Sequence, residues 1–560
     1  MEPHPTVAYF TMEIALDPRM PTYSGGLGVL AGDAVRSAAD LRVPMVAVTL
    51  LHRRGYFVQR LDESGNQTET PALWNVEEFL RELPAQVTVA IQGRSVAVRA
   101  WCREVEGVRG GRVPVLFLDT DLPENAPQDR ELTHSLYGGD RRYRLCQEVV
   151  LGVGGVRLLH ALGYHDIARY HMNEGHAALL AAELLRQTMS MQGETRVTDD
   201  AIAAVRRKCV FTTHTPVPAG HDVFPLDLAR EVMGRHDALE VSGLFTHDGL
   251  LNMTYAALNL SHYVNGVAKR HGEVSREMFG SESVDSVTNG VHLATWAAPA
   301  FRELFDRYIE GWKSDNASLR FAVHIPADGI RAAHERCKRE LLDRVKTQSG
   351  VALDADTLTI GYGRRATAYK RPTLLMDDPA RLRQIAERVG KLQVVYAGKA
   401  HPNDDAGKEL VRDVFRSIGA LRGAVQAAYL PNYDMELGRL MTAGCDLWLN
   451  TPEPPMEASG TSGMKAAVNG VPSLSMLDGW WVEGCIEGVT GWSIGEAGGE
   501  HDRKRDAEAL YAKLERTIVP MYYGDPASYV RVMKGAIVLN ASFFNTERMM
   551  HQYITKAYFS

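Results

Sequence analysis

Two stretches of the chain alternate short apolar runs with segments of helical spacing. In the first, 43–51 reads as a buried strand, 87–101 as a hairpin turning near Gly93, and 113–119 as a further strand. A helical stretch over 141–162 follows, then strands at 167–172 and 209–213 with a helix between them. In the second, strands are predicted at 357–362, 392–397, 425–430 and 446–450, separated by helical spacings. Strands that alternate with helices predict an α/β protein with parallel, doubly wound sheets. The division falls near 296–325, where TWAAPAFRELFDRYIEGW leaves the first half and the next strand waits until Thr357. The last segment, SFFNTERMMHQYITKAY, is amphipathic, with Phe544, Met549, Tyr553 and Tyr558 near helical spacing. There is no internal repeat and no low-complexity tract.

Each strand of the second half runs into an unusual polar sequence. These are GRRATAYKR after Tyr362, GKAHPND after Ala397, PNYD after Leu430 and TPEPPMEASGTSGMK after Asn450. Ligands of open α/β sheets sit at the carboxyl ends of the strands, so these four loops predict one wall of a cleft. The first half has the same habit at HMNEGH (171–176) and THTPVPAGH (213–221).

Composition excludes more than it assigns. The 560 residues are 45% hydrophobic and carry a formal charge of -7, which gives no reason to expect nucleic acid or an anionic membrane as partner. The start, MEPHPTVAYFTMEIALD, lacks a basic stretch followed by an apolar core, so no signal peptide is expected. No apolar run reaches the roughly 18 residues needed to cross a bilayer. Six scattered cysteines without a CxxC pair suit reduced thiols in a cytosol better than disulfides or a structural metal, and no metal site is expected. The expectation is a cytoplasmic enzyme.

Three segments carry candidate chemistry. In EASGTSGMKAAVNG (457–470), a Ser/Thr/Gly turn opens a short helix that should stop at Asn469-Gly470. Such a turn offers unpaired backbone N–H groups to a phosphate. Lys465 is the only Lys, Arg or His from Met441 to Ile486, and a lysine among apolar neighbours loses its proton and becomes a carbonyl nucleophile. A phosphate cradle beside such a lysine is what a pyridoxal phosphate site requires. A lysine snorkelling beside a structural turn explains the segment at least as well, and spacing does not settle it. In GRRATAYKRP, Arg364, Arg365, Lys370 and Arg371 form an acid-free cluster after a strand, suited to a phosphate dianion; the other reading is a solvated basic face. Near the start, YSGGLG (23–28) precedes a helix and can bring backbone amides close to an anion or sugar, although a plain turn explains it too.

Taken together, EASGTSGMK, GRRATAYKR, YSGGLG, HMNEGH, TTHTPVPAG, VNGVAKRHGEVSR, VTNGVH, AGKAHP and LPNYD resemble the α-glucan (glycogen, maltodextrin) phosphorylases of the bacterial short form. The resemblance runs in the family's order from about Ala8 to Tyr558. It implies a GT-B glycosyltransferase fold, two Rossmann-like doubly wound domains facing a central cleft. The implied domains are 1–310, with the glycine loop and glucan-binding residues, and 311–540, with the cofactor lysine and phosphate site. A C-terminal helix, 541–560, can return to the first domain. The resemblance further implies pyridoxal 5′-phosphate as cofactor, carried by Lys465 and held by Gly460, Thr461, Ser462 and Arg364. Arg365 and Lys370 would grip inorganic phosphate with Gly25 and Gly26 closing over it. Glu457, Ser459, Tyr369, Asn265, Glu174 and the backbone of His214 would surround the glucosyl unit. The implied reaction is retaining phosphorolysis of α-1,4-glucans to α-glucose 1-phosphate, with the cofactor phosphate relaying the proton. A homodimer is allowed.

Some positions depart from the family pattern. Ile14-Ala15 stand where many members have aromatic residues, Arg364 where animal members have lysine, and Glu453-Pro454 where relatives often carry arginines. The first motif lies close to the start of the chain, so the amino-terminal regulatory extension of larger members is not expected ahead of it. Two rivals are a sugar-nucleotide-dependent glucan synthase on the same fold and an inactive glucan-binding homologue. Synthases carry a second glutamate eight residues after the first, where this chain has Lys465, and an inactive homologue would be expected to have lost Lys465, Arg365 or Lys370.

Overall fold

A computed structural model describes residues 5–217, 220–234, 239, 241, 243–280, 283–421, 423–496 and 501–559. Its core is two sheets. The first has nine strands, in spatial order Val284–Ser286, Tyr263–Gly266, Cys209–Thr212, Arg169–Asn173, Val7–Phe10, Met45–Leu50, Arg112–Asp119, Arg94–Glu106 and Arg81–Ile91. The first seven run parallel, and the last two close the edge as an antiparallel hairpin. The second sheet is wholly parallel, in the order Gln426–Leu430, Leu392–Ala397, Leu358–Gly363, Leu447–Asn450, Ser473–Met476 and Gly491–Ile494. Numbered along the chain that order is 3-2-1-4-5-6, the arrangement that leaves a crevice where the order reverses, between strands 1 and 4.

Burial explains why these runs became strands. Met45–Leu50 and Leu358–Gly363 are buried at every residue, as strands covered by helices on both faces must be, so their sequences read as continuous apolar runs. The other predicted strands lie within a residue or two of those found, but the hairpin predicted over 87–101 is longer, Arg81–Ile91 and Arg94–Glu106, and Tyr263–Gly266, Val284–Ser286, Ser473–Met476 and Gly491–Ile494 were not predicted. The helical stretch after Asp140 is continuous from Arg141 to Ala161, with a π-helical segment over Val150–Gly154. Val7–Phe10, the central strand of the first sheet, is only four residues long and gave no separate signal. The short hairpin Val58–Leu61/Gln67–Thr70 was not foreseen either. It reaches the second sheet's loops: Gln59 and Gln67 donate their amides to the Gly398 and Ala400 carbonyls, both at 2.9 Å.

The C-terminal helix Thr546–Tyr553 packs on the first sheet's side, and its four anchors Phe544, Met549, Tyr553 and Tyr558 are buried. The Tyr558 hydroxyl lies 2.7 Å from His171 Nδ1, and Asn265 Nδ2 donates to the Tyr553 hydroxyl at 3.2 Å. No helix among the described residues is long and apolar enough to cross a membrane.

Four buried histidines make the fold sensitive to acid. Burial pushes His52 and His271 down to about 4, and His171 and His176 down to about 3. His52 and His176 also grip Met12, one at its carbonyl and one at its N–H. The folded protein therefore resists protonation while an unfolded histidine accepts a proton below its usual pKa of about 6.5. Stability is intact above that value and falls as pH drops towards 4, by about 1.4 kcal/mol per pH unit for each such ring. Urea denaturation midpoints measured from pH 7.5 to 4.5 should fall steeply below 6.5; a flat profile would contradict the burial argument.

Candidate active site

The crevices of the two sheets open on one cavity of about 900 Å³. From the first sheet, Glu13 follows the central strand Val7–Phe10, and Glu174 follows the adjacent strand Arg169–Asn173, so both stand where that sheet's order reverses. From the second, Arg364 and Arg365 follow Leu358–Gly363, and the loop carrying Glu457 and then the helix carrying Lys465 follow Leu447–Asn450.

The glycine loop is built on Glu13. Its Oε2 accepts the N–H groups of Ser24 at 2.5 Å and Gly25 at 3.3 Å, and its Oε1 accepts the Tyr137 hydroxyl at 2.9 Å. A Cβ on Gly28 would lie 2.6 Å from Tyr23 Cβ and 2.7 Å from the Glu13 carboxylate, so only glycine lets the loop close on that anchor. The helix Gly26–Asp40 begins there with no side-chain cap.

Arg364 and Lys370 converge on Glu457. Its Oε2 accepts Arg364 Nη2 at 2.6 Å and Lys370 Nζ at 2.5 Å, all three groups being buried. Burial works to raise the Glu457 pKa, but Arg364 and then Lys370 overcome it and hold the carboxyl at about 2. Lys370 is drawn down to about 7 by burial and then by the Arg364 charge, against the pull of Glu457. We take the ionised pair as the neutral-pH state, because a buried carboxylate touching two cations keeps its charge. Arg365 lies in the same cavity beside Gly25, whose added Cβ would be 3.3 Å from its Nη2. Among the described residues Arg365 has no ion-pair partner. Arg371 leaves the cluster: it pairs with Asp506 at 2.6 Å and donates to the Thr451 and Pro452 carbonyls, so the four cations do not act together.

Lys465 is buried in the helix Ser462–Val468, with its Nζ 3.9 Å from the centre of the Trp296 ring. Burial draws its pKa down to about 8, against the opposing charge of Asp33. The turn ahead of it needs Gly460, whose φ of 82° is left-handed. The helix ends at Asn469 and Gly470, the latter at φ 67°.

Arg364, Ser459, Asn289 and Arg144 line this cavity, and their Nη1, Oγ, Oδ1 and Nη1 atoms are buried without a hydrogen-bond partner among the described residues. Leaving such an atom unpaired costs roughly 1–3 kcal/mol, so their concentration in one cavity marks a surface built for a polar ligand.

The carbohydrate phosphorylase family model matches residues 240–491. The maltodextrin phosphorylase of Thermococcus litoralis is 39% identical over 99% of this chain and 70% of its own length. The glycogen phosphorylase of Mycobacterium bovis is 38% identical over 99% of this chain and 70% of its own, and that of Aquifex aeolicus 35% identical over 99% and 86%. This chain belongs to the carbohydrate phosphorylase family.

Of the candidate residues, the cavity of this phosphorylase family member gathers Lys465, Arg364, Arg365, Lys370, Tyr369, Glu457, Ser459, Gly460, Thr461 and Ser462 from the second sheet. From the first it gathers Gly25, Gly26, Glu174 and His214. Asn265 is a correction: it is fully buried, bonded to Thr212, the Gly266 carbonyl and Tyr553, and does not line the cavity. A polar residue at a strand end serves the adjacent strand and the returning helix here. Asn289 of VTNGVH, not singled out from the sequence, lines the cavity instead, as does Glu13.

Two candidates line the cavity with their side chains engaged within the protein. Glu174 has its oxygens taken by the N–H groups of Gly175 and His214, at 2.9 and 2.7 Å, and by the Thr215 hydroxyl at 3.0 Å. It therefore shapes the 214–215 loop. Burial keeps the His214 ring neutral, with Nε2 2.7 Å from Asn173 Oδ1. Pro218 and Ala219 of the THTPVPAGH loop lie outside the described residues.

Proposed function

We propose that this protein is an α-glucan phosphorylase, cleaving α-1,4-linked glucose polymers with inorganic phosphate to give α-glucose 1-phosphate with retention. The observation that carries the reading is the meeting of a buried lysine, a cationic anion pocket and a glycine loop in one cavity. Arg365 and Lys370 bind and orient the substrate phosphate, and Gly25 and Gly26 cover it from the first sheet. Tyr369, Ser459, Glu457, Asn289 and the 214–215 loop surround the glucosyl unit, with Glu174 holding that loop.

The residues fit pyridoxal phosphate. Lys465 is buried, drawn towards its neutral form and backed by an indole, while the left-handed turn at Gly460 and the unpartnered Arg364 Nη1 suit a phosphate. Lys465 would carry the group, and Gly460, Thr461, Ser462 and Arg364 would hold its phosphate. Bound there, it supplies a phosphate able to give and take a proton beside the substrate phosphate. Glu457 and Asp478, the acid that accepts the Glu457 N–H, support that division of labour. Glu457 is held ionised, and Asp478, raised to about 6 by burial, spends its oxygens on the Glu457 and Gly479 N–H groups at 2.8 and 2.9 Å. Neither is arranged as the proton-donating partner of a hydrolase carboxylate pair.

The same reading takes the two sheets as the Rossmann-like domains of a GT-B fold, 1–310 and 311–540, with 541–560 returning to the first. It assigns the enzyme to the cytoplasm and allows a homodimer, which light scattering would read. Purified protein given maltooligosaccharides and phosphate should release glucose 1-phosphate. Free glucose as the product, or a strict need for a sugar nucleotide, would overturn the assignment.

A further inference from the structure

We propose that Asp33 is a positioning residue for Lys465, acting through the Trp296 ring to fix the amine that takes the carbonyl group of pyridoxal phosphate. The proposal rests on the cofactor reading above. Asp33 is buried on the helix Gly26–Asp40, the helix that the glycine loop opens. Its Oδ2 accepts the Trp296 indole N–H at 2.7 Å and the His292 N–H at 3.1 Å. The face of that indole lies under the Lys465 ammonium. A carboxylate accepting the ring N–H pushes electron density into the ring and strengthens its attraction for a cation on its face.

The backbone around the ring is tied down separately. Asn469, four residues after Lys465, donates to the Trp296 carbonyl at 3.0 Å and accepts the Ala298 N–H at 2.7 Å. The side-chain end of Trp296 is thus anchored by Asp33, and ring and lysine are held as one unit.

The other charged groups nearby are already engaged. On the same helix Arg36 forms an ion pair with Asp33 Oδ1 at 3.4 Å and donates to the Leu16 carbonyl at 2.8 Å, and Asp40 pairs with His292 at 2.9 Å. Ahead of Lys465, Glu457 is neutralised by Arg364 and Lys370. Asp33 is the charge that bears on the Lys465 ammonium, and it opposes the burial that favours the neutral amine.

The chemistry at stake is carbonyl capture. The amine lone pair forms a carbon–nitrogen bond, the carbonyl carbon–oxygen bond breaks, and the oxygen leaves as water with both amine protons. Only the neutral amine starts this step, so its pH dependence reports the ammonium that Asp33 holds. Removing the charge favours the neutral amine and moves the midpoint to lower pH.

The test compares wild type, Asp33→Asn and Trp296→Phe in two measurements across pH 6 to 10. One is the rate at which apo-protein takes up pyridoxal 5′-phosphate, read by the absorbance of the bound chromophore. The other is the rate of Lys465 acylation by acetic anhydride, read by peptide mass spectrometry. Wild type should show a midpoint near 8. Asp33→Asn, which keeps an acceptor for the indole but not the charge, should shift it down by about half a unit or more, with severalfold faster acylation at pH 7. Trp296→Phe, which keeps a ring but not the N–H link, should shift it the same way. Unchanged midpoints in both variants would overturn the proposal, as would a shift in Asp33→Asn with none in Trp296→Phe. If Asp33→Asn fails to fold, the acylation midpoint of Trp296→Phe decides alone. Wild type that takes up no pyridoxal phosphate defeats the cofactor reading, while the acylation midpoints still decide the role of Asp33.

Discussion

Lys465→Ala should leave a folded protein that retains no pyridoxal phosphate through dialysis and loses phosphorolysis by roughly 10⁴-fold or more, the scale of removing a unit of catalytic machinery. Lys465 is the only amine on the wall formed by 441–486, and it is backed by an indole. Alanine at this position keeps the helix Ser462–Val468, since alanine is the best helix former and the Lys465 ammonium makes no hydrogen bond among the described residues. A buried cation is removed, so thermal stability should stay level or rise. Absorbance of the dialysed protein and glucose 1-phosphate release check the two halves independently. A variant that keeps wild-type turnover would refute the role of the lysine, whatever the family.

Arg365→Ala and Lys370→Ala should each lower kcat/KM for phosphate by roughly 10²–10³-fold, the effect of losing one preorganised donor in a site that excludes water. Their stability effects should differ. Arg365 has no ion-pair partner among the described residues, so its removal costs the fold little. Lys370 shares Glu457 with Arg364, and its loss leaves that buried carboxylate with one cation. Thermal shift should therefore separate the variants, with Lys370→Ala the less stable. Normal phosphate saturation curves in both would reduce the cluster to a structural feature.

Most of the site could be read from sequence because it is local. Gly25 and Gly26 open one helix, and Gly460 to Lys465 form one turn and helix. Arg364, Arg365 and Lys370 follow one strand. Arg371 belonged to the same run of charge yet turns to Asp506, 135 residues away, a partner that only folding brings near. Asn265 was misplaced for a related reason. A strand-end asparagine can face the cleft or the neighbouring strand, and the returning C-terminal helix gave it Tyr553 as a partner.

Periodicity and motif order by themselves determined the fold class, the strand-end loops, the candidate lysine and the family. They could do so because apolar runs, glycine turns and charge clusters act over a few residues. Tertiary structure decided which strand-end loops share a cavity and which cations stay unpaired. It brought Glu457 to neutralise Arg364 and Lys370, placed Glu13 beneath the glycine loop, and stacked Trp296 on Lys465 above Asp33. Those pairs lie from 11 to 263 residues apart, and neither sequence spacing nor propensity carries their distance or their burial. Charge state follows from that burial: the same lysine exposed on a helix would keep its ordinary pKa.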